Sequence, residues 1–381
     1  MKIGINLLPI RKELTGIGVY AFNIISEFEK LDKENEYVLF ANEDNYKIYS
    51  FENSRFKTIK FPFSAEEVLK RILIEQLFLP FKIKANRIDV LFSPSTIMPI
   101  FAGCKNVVCI HDMIPFFVKQ KFSKIRSMYV KMMIKISAKR ADKIFTVSNN
   151  SKKEIQKICK VRDSKVLITP NGIKNKLKKS NPHIWNLFKK EKLIQDKYLL
   201  YVGTLEPGKN LTRLVQSFEI LKTKYSLNHQ LVITGKKGWQ YNEIFSTVEK
   251  LKIEKSVIFT DYVSNEILYH LYKNAELFIF PSLYEGFGLP VLEAMSLGLP
   301  AIVSNTSSMP ELVGNAGRLV NPYAIEEIAD EVYHVLNDAE LRQQMARLGK
   351  LQAQKFNWLD SAKIAFHEIS KVAGTMQKPS S

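Results

Sequence analysis

Three cysteines in 381 residues, Cys104, Cys109 and Cys159, are too few for a disulfide framework and match no zinc-site spacing. They read as small buried hydrophobes in a reducing, cytoplasmic compartment. No stretch reaches the roughly 18 apolar residues that a membrane-spanning helix needs. The most apolar candidate, residues 90–102, is short and contains Pro94 and Pro99. The first residues, Met1-Lys2-Ile3-Gly4-Ile5-Asn6, open into a strand pattern and lack that of a signal peptide. Tandem repeats and low-complexity tracts are missing, as is Asp-x-Asp, so no such motif points to a catalytic metal. Helix-turn-helix, zinc-finger and RNA-binding signatures are absent too, which argues against nucleic acid as the partner.

Acidic residues are scarce in one half only. Residues 1–180 hold 34 lysines and arginines against 17 acids, a net +17, while residues 181–381 hold 22 against 21. The basic half is expected to meet an anionic partner. A chain this long, with 46% hydrophobic residues, suits two α/β domains better than one core.

The most informative stretch is 276–304, ELFIFPSLYEGFGLPVLEAMSLGLPAIVS. Leu277–Phe280 has the pattern of a buried parallel strand, ended by Pro281. A loop carries Glu285-Gly286-Phe287-Gly288, and a helix is predicted over Leu289–Leu297. Pro290 suits its first turn and Gly298 its exit. Glycines here let the backbone approach a ligand, and a helix N-terminus offers N–H groups to oxygen-rich or anionic ligands. Glu285 and Glu293 can accept hydrogen bonds from sugar or ribose hydroxyls.

This pattern, Glu, seven residues, Glu, then Ala and Gly-x-Pro, resembles the signature of the retaining GT-B glycosyltransferases of family 4, in particular the mannosyltransferase-like, group 1 members. The resemblance implies that Glu285 and the amides of Gly286, Phe287, Gly288 and Leu289 address the donor sugar. It implies that Glu293 holds the nucleotide ribose.

The remaining landmarks come in the family's order. Lys2–Pro9 reads as a strand, Gly16-Ile17-Gly18 as a loop and Val19–Lys30 as an amphipathic helix. In the resembling family this loop lies at the interdomain cleft, and with Val19 next in line any phosphate contact of Gly16 or Gly18 uses backbone amides. Residues 41–63 carry no clear pattern. Ala65–Lys82 reads as a helix with Leu69, Ile72, Leu73, Leu77 and Phe78 apolar. The strand Asn106–Ile110 ends in His111-Asp112-Met113-Ile114-Pro115, which resembles the family's active-site histidine loop. His111 is therefore expected beside the transferred sugar, and Asp112 either orients the ring or caps the next segment.

Lys119–Lys143 holds nine Lys/Arg and one acid, with Ile125, Met128, Tyr129, Met132, Met133 and Ile136 at helical spacing. It reads as a basic amphipathic helix, whose lysine-rich face can contact an anionic membrane surface while its apolar stripe packs inward, or whose basic back is merely solvated. Pro170-Asn171-Gly172 is a turn, and Asn175–Pro182 a polar stretch near the domain boundary.

In the second half, Tyr198–Val202 is a strand before Gly203-Thr204-Leu205-Glu206-Pro207-Gly208-Lys209-Asn210 and a helix from Leu211, a geometry suited to a diphosphate. The family usually carries Arg at the positions occupied here by Thr204 or Gly208, which leaves Lys209 as the main cation. Arg213 either compensates or is surface charge. The turn Tyr262-Val263-Ser264 is expected near the nucleotide base. Trp358 is expected to anchor a last helix, and the tail from Gly374 to be disordered.

The resemblance implies an α/β fold of GT-B type, two Rossmann-like doubly wound domains facing a cleft, with the C-terminal helix returning to the first. The boundaries are residues 1–175 (acceptor- and membrane-facing), 176–356 (nucleotide-sugar-binding) and 357–381 (crossover helix and tail). It implies a retaining transfer of a sugar, mannose from GDP-mannose as the first expectation, to a lipid-linked oligosaccharide or polysaccharide precursor. His111, Lys209 and Glu285 are the expected catalytic residues, and no cofactor or metal is expected. The expected location is cytoplasmic, at the inner membrane face. A nucleotide-sugar epimerase on the same fold is the alternative; a basic nucleic-acid-binding protein is a further one.

Overall fold

The computed structural model describes residues 1–12, 16–118, 124–173 and 181–374. The first five residues of the expected basic helix, most of the polar stretch at 175–182 and the tail after Gly374 lie outside them. The chain forms two compact units: Met1–Gly172 together with the stretch from Asn357, and Ile173–Phe356.

Short runs rich in Val, Ile, Leu, Phe and Tyr, buried on both faces, form parallel strands in each unit. The first sheet contains β1 (Lys2–Asn6), β2 (Glu36–Ala41), β3 (Phe56–Lys60), β4 (Val90–Ser93), β5 (Lys105–Cys109), β6 (Lys143–Thr146) and β7 (Val166–Ile168). The second contains β8 (Tyr198–Val202), β9 (Gln230–Thr234), β10 (Val257–Asp261), β11 (Leu277–Phe280), β12 (Ala301–Ser304) and β13 (Arg318–Val320). The strands pair in parallel, in the orders 3-2-1-4-5-6-7 and 10-9-8-11-12-13. Each order reverses beside its first strand, between β1 and β4 and between β8 and β11. In doubly wound sheets this switch point, beyond the strands' carboxyl ends, is where ligands bind.

The C-terminal helix Trp358–Val372 packs in the first unit. Trp358 is buried and lies edge-on to Tyr20. Ser361 donates to Pro170 O at 2.6 Å. A Cβ on Gly172 would stand 2.5 Å from Trp358 N, so the Pro-Asn-Gly turn must pass the start of this helix without a side chain.

Three expectations are corrected, and one unassigned stretch is resolved. The first long helix begins at Gly16, so Gly16 and Gly18 form its first turn and not a preceding loop. Their amides remain among the unsatisfied N–H groups of a helix start. Residues 56–60, unassigned from sequence, are strand β3; Lys57 and Lys60 mask its pattern at the sheet edge. The helix expected over 65–82 runs from Val68 to Ala85, with a π-helical turn at Ile74–Phe78. Its Leu69, Leu73, Leu77 and Phe78 are exposed, and the buried row is Glu75, Leu79 and Ile83. The basic helix spans Lys124–Arg140 and buries Met133, Ile134, Ser137 and Ala138. Ile125, Met128 and Met132, read as part of one apolar stripe, stand on the outer face among lysines.

Candidate active site

In the second unit, the two strands that flank the switch point each end in one of the expected residues. After β8 the chain makes a turn at Pro207–Lys209, and Asn210 takes the left-handed conformation at φ 61 before the helix Leu211–Thr223. Asn tolerates this region because its short amide bonds locally. Here the Asn210 amide donates to Pro281 O at 3.0 Å and Pro322 O at 2.6 Å. It ties the loop after β8 to the loops after β11 and β13. Arg213 donates to Asn210 Oδ1 at 3.0 Å and lies over the Tyr323 ring, so it braces this tie.

Lys209 Nζ lies 2.6 Å from Glu285 Oε1, and both side chains are largely buried. Glu206 completes a cluster of two carboxylates about one lysine. Burial raises its pKa, Lys209 pulls it back down, and the Glu285 charge pushes it up again. Tyr201 lies beneath the cluster. Burial raises its phenol well above the usual range, with Glu285 and Glu206 adding to the rise. Fixed charge of both signs at a switch point suits a ligand that brings both an anionic group and hydroxyls.

The Glu285–Gly288 loop is held from the segment after β12. Glu285 N donates to Ser307 Oγ at 3.0 Å, and Ser308 Oγ donates to the carbonyls of Glu285 and Phe287, both at 3.0 Å. Gly288 has φ 110, and a Cβ there would lie 2.5 Å from Met309 Cε and 2.9 Å from Leu312 Cδ2. The helix Leu289–Ser296 then places Glu293, buried, with Tyr272 Oη donating to its Oε2 at 3.1 Å. Gly203 N donates to Thr234 O, and a Cβ on Gly235 would lie 1.9 Å from Gly203 O, so the loops after β8 and β9 are pressed together. Thr204 is exposed beside them. Val263 is buried in the turn after β10, where Ser264 caps the next helix.

Thus Lys209 and Glu285 are in direct contact, and Gly286, Phe287, Gly288, Leu289 and Glu293 continue the same loop and helix. Sequence reasoning did not identify Asn210, Ser307, Ser308, Tyr272 or Glu206. Their signal is weak, since each is a common polar or aromatic residue and most of them bond to partners distant in sequence.

In the first unit His111 follows β5 and is buried, with Nε2 2.9 Å from Pro94 O. A carbonyl only accepts, so Nε2 carries the proton and Nδ1 is the ring's acceptor atom. Burial lowers its pKa to about 4, against a smaller upward pull from Pro94. The imidazole is therefore neutral at physiological pH. Tyr20 packs edge-on against the ring at 4.9 Å. Asp112 accepts from Ile114 N at 3.0 Å and so caps the turn that comes after it.

Comparison with known proteins agrees with this layout. Residues 184–352 match the family model of the group 1 glycosyl transferases, and residues 14–176 match glycosyltransferase family 4. The O-antigen chain mannosyltransferase B of Escherichia coli is 29% identical over 368 residues, which cover 94% of this chain and 96% of that protein. Sucrose-phosphate synthase from Thermosynechococcus elongatus superposes with a TM-score of 0.78 at 17% identity, covering 99% of this chain and all of that one. WaaG, a glycosyltransferase involved in lipopolysaccharide biosynthesis, superposes at 0.74 with 15% identity, over 98% of this chain and all of that one. With both halves matched, both sheets in place and the paired acids on the switch-point loop, this chain belongs to family 4 of the glycosyltransferases and is a glycosyltransferase of GT-B fold.

Proposed function

We propose that the enzyme transfers mannose from GDP-mannose, with retention at the anomeric carbon, to a hydroxyl of a lipid-linked oligosaccharide or polysaccharide precursor at the inner face of the membrane. The near full-length similarity to an O-antigen mannosyltransferase supports the sugar and the acceptor class. The single observation that carries the donor site is the 2.6 Å contact of Lys209 with Glu285 at the switch point.

As the bond from C1 to the diphosphate breaks, C1 takes on oxocarbenium character and negative charge gathers on the leaving phosphate. Lys209 and backbone amides at Gly203, Thr204 and Gly286–Gly288 stabilise that charge. Glu285 accepts from sugar hydroxyls. Its present contact with Lys209 is exchanged for contacts of each group with the donor. Glu293, steadied by Tyr272, accepts from the ribose hydroxyls, and the backbone around Val263 meets the base. His111 Nδ1 accepts from a hydroxyl of the transferred sugar. The acceptor's proton passes to a leaving phosphate oxygen on the same face. The lysine and the amides carry the charge in this scheme, so no metal is required and a chelator leaves turnover unchanged. The basic first unit, through the segment Lys119–Lys143, is drawn to anionic headgroups near the acceptor.

The test is turnover with a panel of nucleotide-sugars and a mannosylated lipid-linked acceptor, followed by NMR of the product's anomeric linkage. Preference for GDP-mannose and an α product support the reading. Preference for another donor refutes the mannose assignment, and a β product refutes retention.

A further inference from the structure

The first unit exposes large apolar side chains along one surface that the sugar chemistry does not use. On the segment from Val68 to Ala85, Leu69, Leu73, Leu77 and Phe81 recur every four residues. Leu69 and Phe81 are 79% and 73% exposed. In an α-helix each four-residue step drifts about 40° around the axis. The π turn at Ile74–Phe78, with more residues per turn, offsets that drift and keeps the row aligned. The opposite row, Glu75, Leu79 and Ile83, is buried, so this exposure belongs to a packed helix.

Two neighbours extend the row. Gln76 bonds to Met98 O and to Ile100 N, which brings the loop with Phe101, 70% exposed, against the π turn. Met98 N donates to Ser137 Oγ and Arg140 lies over the Phe101 ring at 5.0 Å, so the loop also rests on the helix Lys124–Arg140. That helix presents Ile125, Met128 and Met132 outward between Lys124, Lys135 and Lys139. Exposed apolar side chains gathered on neighbouring elements in this way mark an interaction site.

Its charge selects the occupant. The helix Lys124–Arg140 contains no acid, and the one acid of the Val68–Ala85 segment, Glu75, is buried. A two-fold contact with a second copy would bring like charges together. An anionic bilayer supplies both acyl chains for the apolar row and negative headgroups for the lysines. We infer that this surface seats the first unit on an anionic membrane by inserting the Leu69–Phe81 row and Phe101 below the headgroups, with the lysines of the second helix at headgroup level. This deepens the proposed membrane location, replacing purely electrostatic attraction with insertion.

Co-sedimentation with phosphatidylcholine vesicles, with and without phosphatidylglycerol, tests it at low salt and at about 1 M salt, where exposed charges are screened. The parent protein is expected to bind the anionic vesicles and to retain part of that binding at high salt. A Leu69→Ser/Leu73→Ser/Leu77→Ser variant is expected to lose at least about tenfold in partitioning at both salts. A Lys124→Gln/Lys139→Gln variant is expected to lose binding at low salt and match the parent at high salt. Unchanged GDP binding and melting show that the exposed-site variants remain folded. If the triple-serine variant partitions like the parent, insertion is refuted. If the parent ignores vesicles and forms a dimer that the triple variant dissolves, a second copy covers the row and the proposal fails. Because GDP binding is read separately, its absence in the parent condemns the donor-site reading and leaves the vesicle result standing.

Discussion

Both units reverse their strand order beside the first strand, β1 next to β4 in one and β8 next to β11 in the other, yet they equip that point differently. In the second unit it carries an ion pair, Lys209 with Glu285, with Glu206 and Glu293 close by in the chain's loops and helices. In the first unit two of the strand ends carry neutral groups. Asn6 at the end of β1 donates to Glu75, and a neutral His111 donates to Pro94 just after β4. Most of that unit's charge stays on its surface, as lysines around exposed leucine, phenylalanine and methionine. On the proposed reading one scaffold serves two kinds of partner, the donor at the second unit's switch-point loops and a membrane at the first unit's outer helices.

The largest effect that sharpens this contrast is loss of the second unit's cation. Lys209→Met should lower kcat by roughly 10²–10³-fold, the cost of removing one stabiliser of transition-state charge, and should also lower the melting temperature, because Glu285 and Glu206 lose their buried cation. Steady-state kinetics with GDP-mannose checks it.

The second prediction concerns two buried titratable groups of the first unit, Glu75 and His111. Burial raises Glu75 from 4.5 to about 7, against downward pulls from the Asn6 hydrogen bond and the Arg71 charge. Burial lowers His111 from 6.5 to about 4. For Glu75 the folded pKa is the higher, so stability is lost as pH rises from about 4.5 to 7. For His111 the folded pKa is the lower, so stability is lost as pH falls from about 6.5 to 4. The two slopes oppose each other between pH 4.5 and 6.5, each worth on the order of 3 kcal/mol at full extent. Denaturant unfolding should show a nearly flat profile for the parent in that window. His111→Asn should become less stable with rising pH, and Glu75→Gln more stable.

Gly288→Ala should destabilise by about 1–3 kcal/mol, because an alanine is strained at φ 110 and meets Met309 and Leu312. Thermal unfolding reads the loss, and GDP-mannose affinity should fall with it as the loop shifts. The smallest effect is Tyr272→Phe, which removes one donor from Glu293 and should cost about 1–2 kcal/mol in stability, with a few-fold loss in nucleotide affinity by calorimetry.

Much of the frame was legible in the sequence, because parallel strands buried on both faces leave short apolar runs between glycine and proline. The loop Glu285–Gly288 was legible as a loop because its glycines suit a tight turn into the helix that follows, Gly288 at φ 110. The misreadings have a common cause. Periodicity marks an apolar row but not the side on which it lies, so Leu69, Leu73 and Leu77 were visible as apolar positions while their exposure was not. The latches on the site, Asn210 to Pro281 and Ser308 to Glu285, join residues 71 and 23 positions apart, and no local pattern encodes such a pairing. The π turn at Ile74–Phe78 was invisible too, because no local residue pattern marks it.

The central claim is that Lys209 and Glu285 together form the donor site, the lysine for the diphosphate and the glutamate for the sugar. Calorimetric titration of GDP and GDP-mannose into the parent, Lys209→Met and Glu285→Gln tests it directly. The account predicts that Lys209→Met weakens both ligands, whereas Glu285→Gln weakens GDP-mannose and leaves GDP bound as tightly as before or more so. Equal affinities for both ligands across all three proteins would contradict it.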